Sequence, residues 1–278
     1  MANSDASADQ PALPRRSAPS ALLATFIVLW ITWAVLLAAA MILGNPQWGR
    51  ALGLASLEIS EGHRSIEATA ARMGSSLVLV VVGWLAAALW RGLALGRFAW
   101  CIAIGMTAGT IGDFFNAGLL EFVPLVHGVL GGIVSFGLGH IAYIAGCIDL
   151  AKRSGLTART PIAAAVIAWQ LVALVGWYFV VVQGTEARPL VGPALPYSLL
   201  LAGTAAITGG LALQDRRLFA LALGAALFLA SDLILACELF RGHFAYDTEL
   251  VWLTYGPGQM LIVFSTISAA LVVRSRGR

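Results

Sequence analysis

Eight long apolar runs, separated by short polar segments, constrain this chain more than any other feature of its sequence. A helix that crosses a bilayer needs about 20 mainly apolar residues, and each run reaches that length. The sequence therefore predicts an all-α polytopic bundle of eight transmembrane helices, at about 20–44, 75–95, 98–119, 125–149, 161–182, 194–213, 217–240 and 252–273. Residues 1–19 and 274–278 are predicted to be cytoplasmic tails.

The amino-acid composition excludes several other classes of protein. Of the 278 residues, 59% are hydrophobic and 11% are charged, whereas a soluble domain carries about 25% charged residues. Too few polar side chains are present to cover a soluble surface, to keep a tail disordered or to bind nucleic acid. The three cysteines lie inside apolar runs and form no C-x-x-C pair, so neither a disulfide framework nor a zinc knuckle is expected.

The distribution of basic residues between the loops predicts the orientation. When successive loops are assigned to alternate sides of the membrane, twelve of the 17 Lys and Arg residues fall on one side and five on the other. The side that is richer in basic residues faces the cytoplasm in membrane proteins. We therefore expect both termini in the cytoplasm, with the bundle in the inner membrane of a bacterium. The first run, from Ala21 to Leu43, is too long for the apolar region of a signal peptide.

The longest loop predicted on the outer side runs from Asn45 to Gly74. Its segment from Leu54 to Met73 alternates charged residues with alanines, which is compatible with a short amphipathic helix on the membrane surface. A solvated connector is the alternative.

Small residues four positions apart recur within the runs, and this spacing lets helix backbones approach closely in lipid. The pairs are Gly105 with Gly109, Gly128 with Gly132, and Ser135 with Gly139. We interpret these glycines as helix-packing positions.

Two acidic residues lie deep inside the apolar runs, where an ionisable group is costly and usually functional. At a rise of ~1.5 Å per residue, Asp113 and Asp232 both lie ~22 Å from the cytoplasmic boundary. Gln259 of the last helix falls at ~20 Å on the same scale. His127 is expected slightly above this level. His140 is expected nearer the cytoplasm, where it either hydrogen-bonds a neighbouring helix or joins the site.

Two carboxyl groups at one depth can act as a general acid and a general base, because close carboxyl groups do not both ionise easily. The alternative is that each aspartate only bridges helices. A metal site built from Asp113, His127, His140 and Asp232 is a further alternative, since these residue types are zinc ligands. No serine-nucleophile or H-E-x-x-H motif is present, and we predict neither a metal nor a cofactor.

Four segments together resemble the YhhN-like lysoplasmalogenase family of eight-span membrane proteins. They are TAGTIGDFF (107–115), VHGVLGGIVSFGLGHIAY (126–143), FLASDLILACELF (228–240) and TYGPGQMLI (254–262). The likeness covers about residues 98–265, and the order and spacing of the segments also resemble the family. Pro257, between two glycines, departs from the family pattern and is expected to break the last helix beside Gln259.

The resemblance implies hydrolysis of the vinyl ether bond of lysoplasmalogens to a fatty aldehyde and a glycerophospho-base. It implies that Asp113 and Asp232 are the catalytic pair. The residues expected to bind substrate or water, or to support the aspartates, are Asn116, His127, His140, Tyr143, Tyr255 and Gln259. The expected partners are a lysophospholipid and the bilayer. A proton-coupled transporter and a metal-dependent hydrolase of another lipid bond are the alternative functions.

Overall fold

The computed structural model describes residues 20–45, 47–48, 61–120 and 128–276. Within these ranges the chain forms long helices and no strand. The helices are α1 Ser20–Gly44, α2 Glu61–Leu89, α3 Gly96–Asn116, α4 Gly128–Arg153, α5 Arg159–Gly176, α6 Val191–Gln214, α7 Phe219–Arg241 and α8 Asp247–Arg276. A π-helical turn, Trp177–Val182, extends α5, and the 3-10 turns Arg188–Leu190 and Arg216–Leu218 precede α6 and α7.

Each of these eight helices in the described ranges is long and apolar enough to cross a membrane. Large apolar side chains point outward from them, as Leu23 (61% exposed) and Ile167 (69% exposed) illustrate. Such a surface suits lipid rather than water. The all-α polytopic bundle is therefore confirmed, and an even number of spans places its two ends on the same side. Which side faces the cytoplasm stays a prediction.

The second helix differs most from its predicted bounds. It begins at Glu61 and ends at Leu89, whereas the hydropathy pattern predicts 75–95. The chain from Glu61 to Met73 is thus the first part of α2 and not a separate surface helix, while residues 54–60 lie outside the described ranges. Alanines such as Ala68 and Ala71 are buried there, so packing extends the helix beyond its most apolar part. Its end is set by the turn at 90–95, in which Gly92 has φ +74°.

The last helix is continuous through Pro257, contrary to the predicted break. Proline removes one intrahelical hydrogen bond and normally kinks a helix. The two flanking glycines allow close packing that holds α8 in place. A Cβ at Gly258 would lie 2.9 Å from the backbone oxygen of Gly224 in α7, and one at Gly256 would lie 3.0 Å from Leu37 of α1. Gln259 consequently keeps its helical position.

Close approach of α3 and α4 confirms the packing role of several of the paired glycines. A Cβ at Gly139 would lie 2.9 Å from the backbone oxygen of Gly105. One at Gly105 would lie 2.3 Å from the Tyr143 ring, and one at Gly109 would lie 2.9 Å from Nε2 of Gln259. These glycines therefore bring α3 against the polar side chains of α4 and α8.

Candidate active site

Asp113 lies on α3, one turn from the end of the helix, and only 5% of it is exposed. Its Oδ2 accepts two hydrogen bonds, from Ser76 Oγ of α2 at 2.7 Å and from the Tyr255 hydroxyl of α8 at 3.0 Å. Hydrogen bonds from neutral hydroxyls to a carboxylate oxygen are charge-assisted and fix its orientation. Three helices thus position this carboxyl group.

Asp232 lies on α7 and has a similar set of partners. Its Oδ2 accepts a hydrogen bond from the hydroxyl of Tyr197 on α6. Ser231 Oγ lies 3.3 Å from Oδ1 but donates its proton to the backbone oxygen of Phe228 at 2.7 Å. A tyrosine on a neighbouring helix and a serine therefore adjoin each aspartate.

Three of the predicted polar residues form one hydrogen-bonded chain that ends at Asp113. The Tyr143 hydroxyl of α4 donates to Gln259 Oε1 at 2.8 Å. Gln259 Nε2 donates to the Tyr255 hydroxyl at 3.2 Å, and Tyr255 donates to Asp113. Every hydroxyl proton in this chain points toward the aspartate. Tyr143, Tyr255 and Gln259 therefore belong to the surroundings of Asp113.

His140 is buried and is bonded to neither aspartate. Its Nδ1 lies 3.0 Å from Thr204 Oγ1 on α6, and the described residues provide no hydrogen-bond partner for its Nε2. The imidazole packs 4.7 Å from the Phe228 ring, centroid to centroid. Of the two possibilities, a hydrogen bond to a neighbouring helix is the one that the structure contains.

Two cavities meet at Asp232. One, of about 300 Å³ and called here the polar cavity, is lined by both Asp113 and Asp232. Its other lining residues are Thr69, Arg72, Met73, Asn116, Ala117, Phe136, Leu235, Glu238, Thr248, Val251, Trp252 and Tyr255. The predicted pair thus faces a common space.

The second cavity, of about 350 Å³ and called here the apolar cavity, lies between α4, α5, α6 and α7. Most of its wall is aliphatic or aromatic, with Ile133, Val172, Leu201 and Leu229 among the lining residues. It shares five lining residues with the polar cavity, namely Asn116, Phe136, Asp232, Leu235 and Glu238. Asp232 therefore stands at the junction, whereas Asp113 lines the polar cavity alone.

The remaining predicted residues have different outcomes. Asn116 ends α3 and lines both cavities. A Cβ at Gly132 of α4 would lie 2.3 Å from its Oδ1, so glycine leaves room for this amide. His127 lies outside the described residues.

The described part of the chain contains a cluster of residue types that can bind a metal, but it lies away from the metal site considered in the sequence analysis. Glu238, His243 and Asp247 bring their ligand atoms within 4.8 Å of one another, between the end of α7 and the start of α8. His243 Nδ1 lies 3.1 Å from Glu238 Oε1 and 2.9 Å from Asp247 Oδ2. The hydrogen bond with Asp247 and the charge of Glu238 raise the pKa of His243. The described residues do not assemble the predicted group around Asp113 and Asp232.

Sequence reasoning missed three residues that contact the candidate site residues. They are Ser76 and Tyr197, which bind the aspartates, and Thr204, which binds His140. Tyr197 lies ~9 Å along α6 from Val191, close to the depth of Gln259, so the same depth arithmetic would have found it. A serine or threonine in a transmembrane helix carries no comparable signal, because its hydroxyl can bond to the carbonyl of its own helix.

Comparison with known protein families gives a match. A family model, that of the YhhN family, matches residues 72–266. No curated protein and no solved structure matches the chain. The matched region contains both aspartates, their tyrosine partners and most of the walls of both cavities. The chain belongs to the YhhN family.

Proposed function

We propose that this YhhN-family membrane protein hydrolyses the vinyl ether bond of lysoplasmalogens, releasing a fatty aldehyde and a glycerophospho-base. The observation that carries the proposal is that Asp113 and Asp232, from different helices, line one cavity within the bundle. The adjoining apolar cavity offers a place for an alkyl chain. Family membership and the lipid-facing surface support a lipid substrate.

Vinyl ether hydrolysis requires an acid and a stabilising anion. Protonation of the alkene carbon on the chain side produces an oxocarbenium ion. Water adds to the carbon that bears the oxygen, and the hemiacetal then collapses to an aldehyde and an alcohol. Glycosidases use two carboxyl groups around an oxocarbenium-like transition state in the same manner. A carboxylate beside the cation stabilises it electrostatically.

The geometry favours Asp232 as the acid and Asp113 as the anion. Asp232 lies at the junction with the apolar cavity, where the chain-side carbon of a bound alkenyl group would lie. Asp113 lines the polar cavity alone, and two hydroxyl donors, Ser76 and Tyr255, fix the orientation of its carboxyl group. In this assignment Asp232 protonates carbon, while Asp113 guides water and balances the positive charge.

Product analysis with a panel of lysolipids tests the proposal. Purified protein is incubated with the alkenyl lysolipid and with matched alkyl and acyl lysolipids, and the products are identified by mass spectrometry. We expect fatty aldehyde from the alkenyl substrate alone, carrying deuterium at the carbon next to the carbonyl when the reaction runs in D₂O and the aldehyde is trapped at once. Release of fatty acid from the acyl lysolipid without aldehyde formation, or activity that disappears with a chelator and returns with zinc, would contradict it.

A further inference from the structure

Arg72 is a cationic side chain in a place where a transmembrane helix rarely carries one. It lies on α2, within the membrane-spanning stretch Ile66–Leu89, and its side chain lines the polar cavity together with Asp113 and Asp232. A charged group at such a position is costly and is a candidate functional residue by default. The proposed reaction does not by itself need a cation there.

The surroundings of Arg72 hold the guanidinium at the cavity wall. Its Cζ lies 6.0 Å from the centroid of the Trp252 ring, a cation–π contact. Gly44 of α1 leaves room for it, because a Cβ at that position would lie 2.7 Å from Nη2. The buried Nε has no hydrogen-bond partner among the described residues.

Glu249 does not neutralise Arg72 by direct contact. The charge of Glu249 is felt at Arg72, but these two described residues form no ion pair within 4.0 Å. Glu249 Oε1 instead accepts a hydrogen bond from Asn45 Nδ2 at 3.1 Å. Guanidinium donors therefore remain for another partner.

The charges of the polar cavity identify the chemistry of that partner. Among the described residues that line it, three are acids, namely Asp113, Asp232 and Glu238, and Arg72 is the single cation. The ionised acids repel an anion that enters this cavity, so Arg72 is the described lining residue that attracts one. Arginine is suited to phosphate because its planar donors match two phosphate oxygens at once.

We propose that Arg72 binds the phosphodiester of the lysophospholipid and thereby positions the vinyl ether bond at the aspartates. This inference rests on the proposed function. In a lysoplasmalogen the glycerol unit alone separates the phosphate from the vinyl ether. A phosphate on Arg72 therefore leaves the ether linkage in the same cavity as Asp113 and Asp232, with the alkenyl chain directed to the apolar cavity. Arg72 is a positioning and specificity residue in this arrangement, not a proton-transfer group.

The substitution Arg72→Gln tests the inference with two substrates, the alkenyl lysophospholipid and the corresponding alkenylglycerol, which lacks the phosphate. Loss of a charge-assisted hydrogen bond corresponds to about 10- to 100-fold in affinity. We expect KM for the lysophospholipid to rise by that factor, with kcat little changed, and kcat/KM for the alkenylglycerol to stay unchanged. Arg72→Lys keeps the positive charge but lacks the paired donors of a guanidinium, so its KM for the lysophospholipid should lie between those of the wild type and Arg72→Gln.

Two control variants separate positioning from a structural role. Arg97→Gln removes an exposed arginine that lines neither cavity and should change neither substrate. Glu249→Gln should leave the preference for phosphate intact, since Arg72 acts on the lipid and not through Glu249. Equal losses on both substrates in Arg72→Gln, or a Glu249→Gln variant that reproduces its behaviour, would overturn the inference.

A binding measurement distinguishes failure of this inference from failure of the proposed function. The saturated alkyl lysophospholipid has no vinyl ether to hydrolyse, so its effect on thermal unfolding reports binding alone. We expect it to stabilise the wild type and Arg97→Gln more than it stabilises Arg72→Gln or Arg72→Lys, whereas the alkylglycerol stabilises all four equally. Equal stabilisation of all variants by the phosphate-containing lipid would overturn the assignment even if hydrolysis is observed. If inorganic phosphate stabilises the wild type as much as the alkyl lysophospholipid does, the site binds free phosphate, and the assignment to a lipid headgroup is overturned.

Discussion

The two aspartates are held by tyrosine hydroxyls that come from other helices. Tyr255 of α8 bonds to Asp113, and Tyr197 of α6 bonds to Asp232. Without these partners, a carboxyl group in the bundle would lack compensation for its lost hydration. Each tyrosine–aspartate hydrogen bond therefore contributes both to the stability of the fold and to the proposed chemistry. Substitutions of the aspartate or of the tyrosine distinguish these two contributions.

Replacement of each aspartate tests the catalytic pair. Asp113→Asn and Asp232→Asn keep the size of the side chain but remove its charge and its exchangeable carboxyl proton. General acid–base groups contribute about 10²–10⁴-fold, so each variant should lose activity in that range. The double variant should lose little more, because residues that act as a unit are not additive. The measurement is initial rate of aldehyde formation, and near-normal rates in either well-folded variant would contradict the mechanism.

Removal of a single tyrosine hydroxyl should give a smaller loss. Tyr255→Phe deletes one hydrogen bond to the charged Asp113, worth about 1.5–3 kcal/mol, and Tyr197→Phe deletes one to the neutral Asp232, worth about 0.5–1.5 kcal/mol. We expect kcat/KM to fall about 10- to 100-fold in Tyr255→Phe and about 2- to 10-fold in Tyr197→Phe. In Tyr255→Phe, Gln259 Nε2 also loses its acceptor. Tyr178→Phe is the matched control, since Tyr178 is half exposed and lines neither cavity. Equal effects in all three variants would refute a specific role for these hydroxyls.

At the scale of the helices, the contact between α3 and α4 decides where the site residues stand. Glycines at the crossing allow the backbones to touch, and the Tyr143 ring occupies the space beside Gly105. Interiors are close-packed, so an added methyl group cannot be absorbed without movement. The hydrogen-bonded chain from Tyr143 to Asp113 depends on this spacing.

Gly139→Ala should destabilise the bundle by about 1–3 kcal/mol, the usual cost of overpacking. Its new Cβ would lie 2.9 Å from the backbone oxygen of Gly105, which cannot rotate away. Gly137→Ala, on the same helix, is the control, because its nearest neighbour is Leu200 Cδ1 at 3.8 Å. Thermal unfolding in detergent compares the two, and similar melting temperatures would argue against the close crossing.

His243 links the end of α7 to the start of α8, because its imidazole contacts both Glu238 and Asp247. These acids raise the pKa of His243 above its ordinary value of 6.5. Protonated His243 therefore stabilises the folded state fully below pH 6.5, and this contribution is lost as the pH rises through the raised pKa of the folded protein.

His243→Gln should accordingly lower the melting temperature most below pH 6.5 and progressively less at higher pH. His243→Lys keeps a positive charge over this whole range and should show no such convergence. Melting curves of the three proteins as a function of pH provide the measurement. A difference between wild type and His243→Gln that grows with rising pH would have the opposite sign to this prediction.

At the scale of the whole molecule, the bundle gathers residues that are far apart in sequence. Ser76, Asp113, Tyr197, Asp232 and Tyr255 come from five different helices. Their assembly depends on helix order and tilt, and the orientation of the bundle then decides which face of the bilayer supplies the lipid.

Reporter fusions test that orientation. Fusions after Arg278 and in the turn that follows Lys152 should both report the cytoplasm, because the loops on that side carry most of the basic residues. A fusion in the turn between α7 and α8, near Gly242, is the control and should report the opposite side. An external signal from either of the first two would reverse the proposed topology.

The sequence by itself determined the number of long apolar helices, the class of fold and the two buried acidic residues that line the candidate site. Length and hydropathy suffice for the first two, since lipid requires each spanning segment to satisfy its own backbone hydrogen bonds. Depth along a helix follows from its rise, which placed Asp113, Asp232 and Gln259 at one level. Hydropathy gave the bounds of α2 poorly, because the part of the helix around Ala68 and Ala71 is buried by packing although it is not predominantly apolar.

Tertiary structure alone decided what these residues touch. Helix rotation determines which polar groups face one another, and it depends on the packing of glycines and aromatic rings over the whole bundle. That packing kept α8 helical through Pro257, joined Gln259 to Asp113 through Tyr255, and turned His140 toward Thr204. It also placed Arg72 in the wall of the cavity that both aspartates line, although the sequence pattern indicates only a basic residue in an outer loop. The position of a residue along the sequence specifies its depth in the membrane. Which side chain it faces across a cavity is decided only when the helices pack together.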